Sequence, residues 1–285
     1  MSLQLRPGRP EDASECGRIC YEAFATISAE HNFPRDFPDA EVATGMMGML
    51  LANEGYHVVV AESDGRIVGS NGVDERGIIA GIGPITVDPR QQNAGAGRAL
   101  MQYVLDRERR REAAGVRLVQ AAYHNRSLSL YTKLGFDTRE PLSCIQGDPP
   151  ANVTTTCQVR PGADVDIVAC AELCLRVHGH ERTGEVRDAL AMGMLMVVER
   201  EGRIGGYTTG VGFLGHTVAE TNTELKALIA AAPGYWGPGF LLPTRNSEVL
   251  RWCLQHGLRV VQPMTLMSIG LYNEPRGAWL PSIGY

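Results

Sequence analysis

The apolar positions change period several times along the first half of the chain, and each change marks an element. Residues 3–6 alternate and predict a short strand, which Pro7-Gly8 breaks. Glu11-Asp12 opens a helix, with Ala13, Cys16, Ile19, Cys20 and Phe24 at helical spacing. Residues 31–38, His-Asn-Phe-Pro-Arg-Asp-Phe-Pro, place two prolines among alternating aromatics and read as a loop. A helix over 40–51 carries Met46, Met47 and Met49, a stripe that is ordinarily core and in other settings lines an adaptable pocket. Residues 57–61 form an apolar strand, 63–65 turn, and 66–73 return as the second arm of a hairpin. After a further turn at 74–77 comes a strand over 78–87 with Pro84 inside it. Proline has no N–H to give a ladder, so a bulge or splay is expected there. A splay leaves backbone N–H and C=O groups free to pair with an amide-bearing ligand.

The chain then reads Val87-Asp-Pro-Arg-Gln-Gln-Asn-Ala-Gly-Ala-Gly-Arg-Ala-Leu-Met101. Asp88-Pro89 ends the strand, and Gly95 and Gly97 allow a tight turn. From Arg98 on, Leu100, Met101, Val104 and Leu105 recur at helical spacing. A glycine turn thus joins a strand to a helix N-terminus, where free N–H groups and the helix dipole suit a phosphate or pyrophosphate. Arg98-Ala99 stands where a Walker loop needs Lys-Ser/Thr, and Leu100 stands where a dinucleotide fingerprint needs its third small residue. A glycine turn that only caps a helix is the other reading of this stretch.

What remains is Gln92-x-x-Gly95-x-Gly97, which resembles the acyl-CoA pyrophosphate loop of the GNAT superfamily of N-acyltransferases. A strand over 116–122 follows, and then His124-Asn-Arg-Ser-Leu-Ser-Leu-Tyr-Thr-Lys-Leu-Gly-Phe136. Leu128, Tyr131 and Leu134 share a helix face that Gly135 ends. This stretch is similar to the GNAT segment Asn-x-x-Ser/Ala-x-x-Leu-Tyr-x-x-Leu-Gly-Phe, and the order of elements from residue 3 to 146 matches the family. His124 stands where the family usually has an asparagine contacting the pantetheine arm, with Asn125 one place late.

The second half repeats the first. Leu5-Arg6-Pro7-Gly8 recurs as Val159-Arg160-Pro161-Gly162, and Asp12, Cys16 and Cys20 recur as Asp166, Cys170 and Cys174. Gly65-Arg66-Ile67 returns as Gly202-Arg203-Ile204, so the second copy is shorter between its first helix and its hairpin. A tandem duplication explains this register, with a linker at Gly147-Asp148-Pro149-Pro150. Opposite the glycine loop stands Val218-Ala-Glu-Thr-Asn-Thr-Glu-Leu225, without glycine and with Glu220 and Glu224 to repel a pyrophosphate. Cys253 falls opposite Tyr131, and Asn246 opposite His124. Trp236, Trp252 and Trp279 all lie in this half and read as core or interface. The last seven residues, 279–285, are apolar enough to be expected to pack back on the body.

The expected fold class is α+β: two GNAT-like domains over 1–147 and 151–285, each a mixed, mostly antiparallel twisted sheet flanked by helices. The net charge of −5 and the lack of a long basic run argue against nucleic acid. The densest cluster, Arg107–Glu112, reads as a solvated helix face. No apolar run approaches a membrane span, and the first residues have no signal-peptide core. Seven scattered cysteines with no C-x-x-C pair suit core packing, no metal and a reducing cytoplasm.

The resemblance implies an active first copy that moves an acetyl group from acetyl-CoA to a primary amine of a small molecule or peptide. A non-catalytic CoA-binding sensor is the alternative. The implied donor contacts are Ile85, Thr86 and Val87 on the splayed strand, Gln92, Asn93, Ala94, Gly95, Ala96, Gly97 and Arg98 in the loop, and His124, Asn125, Ser127 and Tyr131 beyond it. Tyr131 is implied to protonate the leaving thiolate, or else only packs under the donor. A backbone N–H near Ile85 to Val87 would meet the oxyanion. No acid lies in residues 77–87, so Asp74, Glu75, Glu30, His31 and Asp36 are the candidates for a base, each otherwise a solvated residue. His57 reads as a satisfied core histidine. The partners expected are acetyl-CoA and the amine acceptor, with a homodimer allowed.

Overall fold

The computed structural model describes residues 3–92, 95–151, 153 and 155–285. In the first half the elements run β1 (Leu3–Pro7), α1 (Ala13–Glu30), α2 (Ala40–Ala52), β2 (Tyr56–Ser63), β3 (Arg66–Asp74), β4 (Ile79–Val87), α3 (Ala96–Arg110), β5 (Gly115–Ala121), α4 (Asn125–Lys133) and β6 (Asp137–Gln146). The second half continues with β7 (Gln158–Pro161), α5 (Ile167–His178), α6 (Thr183–Ala191), β8 (Met196–Arg200), β9 (Arg203–Thr208), β10 (Thr217–Ala219), α7 (Asn222–Ala231), β11 (Phe240–Pro243), α8 (Ser247–Gln255), β12 (Arg259–Gly270) and β13 (Ala278–Leu280). Two compact units result. The first holds residues 1–138 with 267–271 and 284, and the second holds 139–266 with 272–283 and 285.

In the first unit the strand order is β1-β2-β3-β4-β5, followed by the last residues of β12. Strand β2 shows why helices cover both faces. Val59 and Ala61 pack with Leu100, Met101 and Val104 of α3, while Val58 and Val60 pack with Cys16 and Cys20 of α1 and Met46 and Met47 of α2. The period of two along the strand sends alternate side chains to opposite helices. The methionine helix is therefore core at Met46 and Met47, whereas Met49 is exposed.

The splay expected at Pro84 is present. Strand β4 pairs antiparallel with β3, with a register shift between Asn71 and Val73, and parallel with β5 from Ile79↔Gly115 to Ile82↔Leu118. At the shift, a Cβ on Gly72 would stand 2.9 Å from the Gly83 carbonyl oxygen, so only glycine fits. Beyond Ile82 the β4–β5 ladder ends.

The second unit contains the sheet β7-β8-β9-β10-β13 and the ladder of β11 and β6 beside the first residues of β12. Residues from 137 do form a strand, but its partner is β11, with Phe240 opposite Ile145. Residues 267–271 of the second half close the first unit's sheet beside β5, where the Leu271 N–H donates to Ala114 O at 2.9 Å. Strands β6 and β12 are thus each divided between the two units.

The duplication is visible atom by atom. Arg6 donates to Asp12 at 2.7 and 2.9 Å and to Glu62 at 2.8 Å; Arg160 donates to Asp166 at 2.7 and 2.9 Å and to Glu199 at 2.8 Å. At the end of α4 the Phe136 N–H meets Tyr131 O at 3.0 Å, and at the end of α8 the Leu258 N–H meets Cys253 O at 3.0 Å. All seven cysteines are buried and unbridged, as core packing requires. No helix of the described residues is long and apolar enough to cross a membrane.

Candidate active site

The glycine turn begins from a fixed strand end. The Asp88 carboxylate accepts the Arg90 N–H at 2.9 Å and the Arg90 guanidinium at 2.7 and 2.9 Å, and these bonds to Arg90 hold it down to about 2. Gly95 caps α3 in the left-handed region at φ 87°, and a Cβ there would meet nothing within 4 Å. The Ala99 N–H makes a helical bond to Gly95 O at 3.0 Å; the N–H groups of Ala96, Gly97 and Arg98 come before it at the positive end of the helix dipole. A Cβ on Gly97 would touch Val87 at an ordinary 3.7 Å, so packing within the chain does not demand glycine there. Ala96 is buried and Arg98 is exposed. Asn93 and Ala94 lie outside the described residues. Gln92 accepts a hydrogen bond from Arg126 of α4, which ties the loop to the neighbouring helix. Arg126 escaped the sequence reading, because nothing in its spacing marks a partner 34 residues away.

The direction of the β4 amides follows from alternation. The Asp88 N–H donates to Val68 O on β3 at 2.9 Å, so the Thr86 N–H also faces β3. The amides of Ile85 and Val87 then point the other way, into the splay. The Thr86 side chain is buried, with its hydroxyl 3.4 Å from that of Ser70.

Across the splay, the turn after β5 presents α4. His124 occupies the N-cap position, and its Nδ1 lies 2.7 Å from the Ser127 hydroxyl. Its Nε2 is buried without a hydrogen-bond partner. Burial, then the charge of Arg126, lowers the imidazole to about 4, so it is neutral near pH 7. Asn125 is exposed, and its carbonyl accepts from Ser129 at 2.8 Å. Tyr131 is 6% exposed, and its ring stands edge-on to Phe136 at 6.1 Å. Burial raises the phenol to about 12, opposed by a hydrogen bond with Ser127.

The candidate bases separate into two groups. Asp74 is bound by Arg76, and Glu75 by Arg107 at 2.5 Å and Arg111 at 3.3 Å. Arg107 and Arg111 sit at the C-terminal end of α3, about 20 Å along the helix from Gly95 at 1.5 Å per residue. That distance removes Glu75, and Asp74 beside it in the chain, from the glycine end. It also corrects the reading of Arg107–Glu112 as a merely solvated face, since Glu108 within it is buried and raised to about 7, mainly by desolvation. The second group is nearer. Phe33 stacks on Tyr123 at 4.0 Å, His31 lies 5.3 Å from the same ring, and Glu30 and His31 both bear electrostatically on His124. Asp36 acts on Tyr123. His57 is half-buried against Tyr103, but its Nε2 has no partner, so it is not the satisfied core histidine expected.

The second unit shows what replaced each part. Thr221 caps α7 with its own hydroxyl. Glu224 is fully buried against Arg200 at 3.0 Å, and Glu220 pairs with Arg203 at 2.6 Å and Arg176 at 3.2 Å. The two carboxylates are therefore neutralised rather than left free to repel an anion. Strand β13 pairs with β10, Val218 opposite Trp279, and its Ala278 and Leu280 pack with Phe240 and Leu242 of β11. It fills in the second unit the position that is open between β4 and β5 in the first. Residues 278–282 are buried, as the apolar composition of the last residues required. Trp279 is core, whereas Trp236 is 57% exposed. Beside β10 lies a buried polar network. Arg182 meets Glu185 at 2.5 Å, Glu185 lies 3.1 Å from His216 Nδ1, and the Tyr207 hydroxyl lies 3.0 Å from His216 Nε2. Among the described residues no three His, Cys, Asp or Glu side chains group as a metal site.

Residues 21–147 match the family model of the GNAT acetyltransferase domain. A candidate acetyltransferase from Pyrococcus horikoshii superposes with a TM-score of 0.75 at 18% identity, covering 97% of this chain and 94% of that one. A GCN5-related N-acetyltransferase from Sphaerobacter thermophilus gives 0.62 at 15% identity, over 95% and 96%. A tandem GNAT protein from the clavulanic acid biosynthesis pathway gives 0.56 at 15% identity, over 95% and 100%. At these identities the likeness is one of fold. No curated protein matches the sequence. Residues 21–147 therefore match the GNAT acetyltransferase domain, and the whole chain has the fold of the tandem GNAT protein.

Proposed function

We propose that the first unit moves an acetyl group from acetyl-CoA to a primary amine of a small molecule or peptide, by direct attack of the amine on the thioester. The observation that carries this is the open splay beside β4, with the Ile85 and Val87 amides turned into it, the α3 N-terminus at one end and Tyr131 across it. The pyrophosphate would rest on the N–H groups around Gly95–Arg98, where a ligand lying close to the backbone accounts for the glycine at 97. The pantetheine amides would pair with the free groups of β4, near His124 and Asn125. An Ile85 or Val87 N–H would receive the oxyanion, and the Tyr131 phenol would protonate the departing sulfur. Seven reduced cysteines suit work in the cytoplasm. A CoA-binding sensor is the second reading, favoured by the distance of Asp74 and Glu75 from the glycine end. Release of free thiol from acetyl-CoA with any of a set of primary amines decides for the enzyme, and binding without turnover decides for the sensor.

Gly95→Asp tests the loop. The side chain enters open space and aspartate is among the residues that best accept a positive φ, so the fold persists at some cost in stability, while its charge stands where pyrophosphate would. The rise in melting temperature that CoA gives the native protein is expected to vanish. An unchanged rise would move the ligand elsewhere.

Stoichiometry tests the second unit, which we propose binds no CoA because β13 fills its cleft and Thr221 caps its helix. Isothermal titration is expected to give one CoA per chain. Two per chain would overturn the assignment.

A further inference from the structure

We infer that His124, Ser127 and Tyr131 form a relay that carries the acceptor amine's proton to the departing sulfur, so that no carboxylate base is needed. This rests on the acetyl-transfer reading above. It answers the one requirement that reading leaves open, since Asp74 is bound by Arg76 and Glu75 by Arg107 at the far end of α3.

Three observations carry it. The Ser127 hydroxyl lies 2.7 Å from His124 Nδ1, and Ser127 stands one turn before Tyr131 on the same face of α4, which sets the three groups in one line. His124 Nε2, at the open end of that line, is buried without a partner, a costly arrangement unless something meets it in use. The second copy, whose glycine loop is gone, has none of the three: Asn246, Val249 and Cys253 stand at the corresponding positions of α8.

The proton balance closes. In the tetrahedral adduct the nitrogen must lose a proton and the sulfur must gain one. The nitrogen gives its proton to His124 Nε2 while Nδ1–H passes one to Ser127 Oγ. The Ser127 proton passes to the Tyr131 oxygen, and the Tyr131 proton goes to sulfur as the C–S bond breaks with its electron pair and the carbonyl re-forms. Amide and thiol leave, and His124 is left as its other tautomer, which returns by exchange with water. Because each group gains one proton and gives one, a neutral imidazole serves without being a strong base. An acceptor bound against Nε2 keeps water from it during the reaction, so the proton is passed on rather than lost. Phe33 and His31 of the loop 31–38 lie on Tyr123, the residue before His124.

His124→Asn is the test, read with acetyl-CoA and primary alkylamines or short peptides as probes. Asparagine is a good N-cap, and Asn246 caps α8 at the matching position by accepting from the Val249 N–H, so the variant keeps its helix. We expect kcat to fall about 100-fold with the KM for acetyl-CoA within about twofold, in the range of a lost general base. Ser127→Ala is expected to lower kcat as well. It should also turn a curved dependence of rate on solvent deuterium fraction, the mark of several protons in flight, into a straight one. A His124→Asn variant with unchanged kcat and a raised KM overturns the relay and leaves His124 a donor contact. A straight dependence in the native protein overturns it too. Absence of turnover in the native protein with every amine is the different failure, that of the acetyl-transfer reading itself.

Discussion

Replacing Tyr131 with phenylalanine will lower turnover about 100-fold or more and leave CoA affinity nearly unchanged, the signature of a lost general acid. The ring keeps its place: Phe fills the same space against Phe136, and the surrounding core of Leu118, Leu128 and Leu134 is untouched. Only the hydroxyl goes. Burial has already raised that phenol to about 12, so it holds its proton at neutral pH until the sulfur develops charge beside it. Steady-state kinetics with a binding isotherm for CoA measures both halves. Wild-type turnover in the variant would reduce Tyr131 to packing.

Glu185→Ala will destabilise the second unit by about 3 kcal/mol or more, the usual result of leaving a buried charge alone. Arg182 is 7% exposed and is held by Glu185, by Ser282 and by the Tyr285 carbonyl. Removing the carboxylate strands that guanidinium and also takes a partner from His216. Converting both members to apolar residues, as in Arg182→Leu with Glu185→Met, should restore much of the loss. The same pair sets an acid dependence. Burial would raise Glu185, but Arg182 and His216 outweigh it and hold the carboxyl well below its ordinary 4.5. A carboxyl lowered by folding stabilises above its unfolded pKa, and that stability is lost as pH falls through the folded value. Denaturant melts should therefore weaken below about pH 4.5 in the native protein and less steeply in Glu185→Ala. A variant as stable as the native protein at pH 7 would show the network to be dispensable.

What the sequence by itself determined is local or repeated. The hairpin at Ser63–Arg66, the turn at Gly95, the helix face of Leu128, Tyr131 and Leu134 and the stop at Gly135 depend on periods of two or 3.6 and on glycine's freedom at positive φ. The duplication was legible because Arg6 and Asp12, like Arg160 and Asp166, sit at fixed spacing near their own helix. Pro84 announced the splay because a missing N–H is a property of the residue. What only the tertiary structure decided involves partners far apart in the chain. No period marks β6 for β11 or residues 267–271 for β5, since β6 and β12 are both apolar enough for either sheet. The burial of β13 against β10 closes the second cleft, and the apolar last residues foretold packing but not its place. Glu75 lies one turn before β4 in sequence, yet the length of α3 carries its partner Arg107 away from the glycine end. His124 read as a substituted asparagine, and its neutral charge and unpartnered Nε2 arise from burial, which depends on everything packed around it.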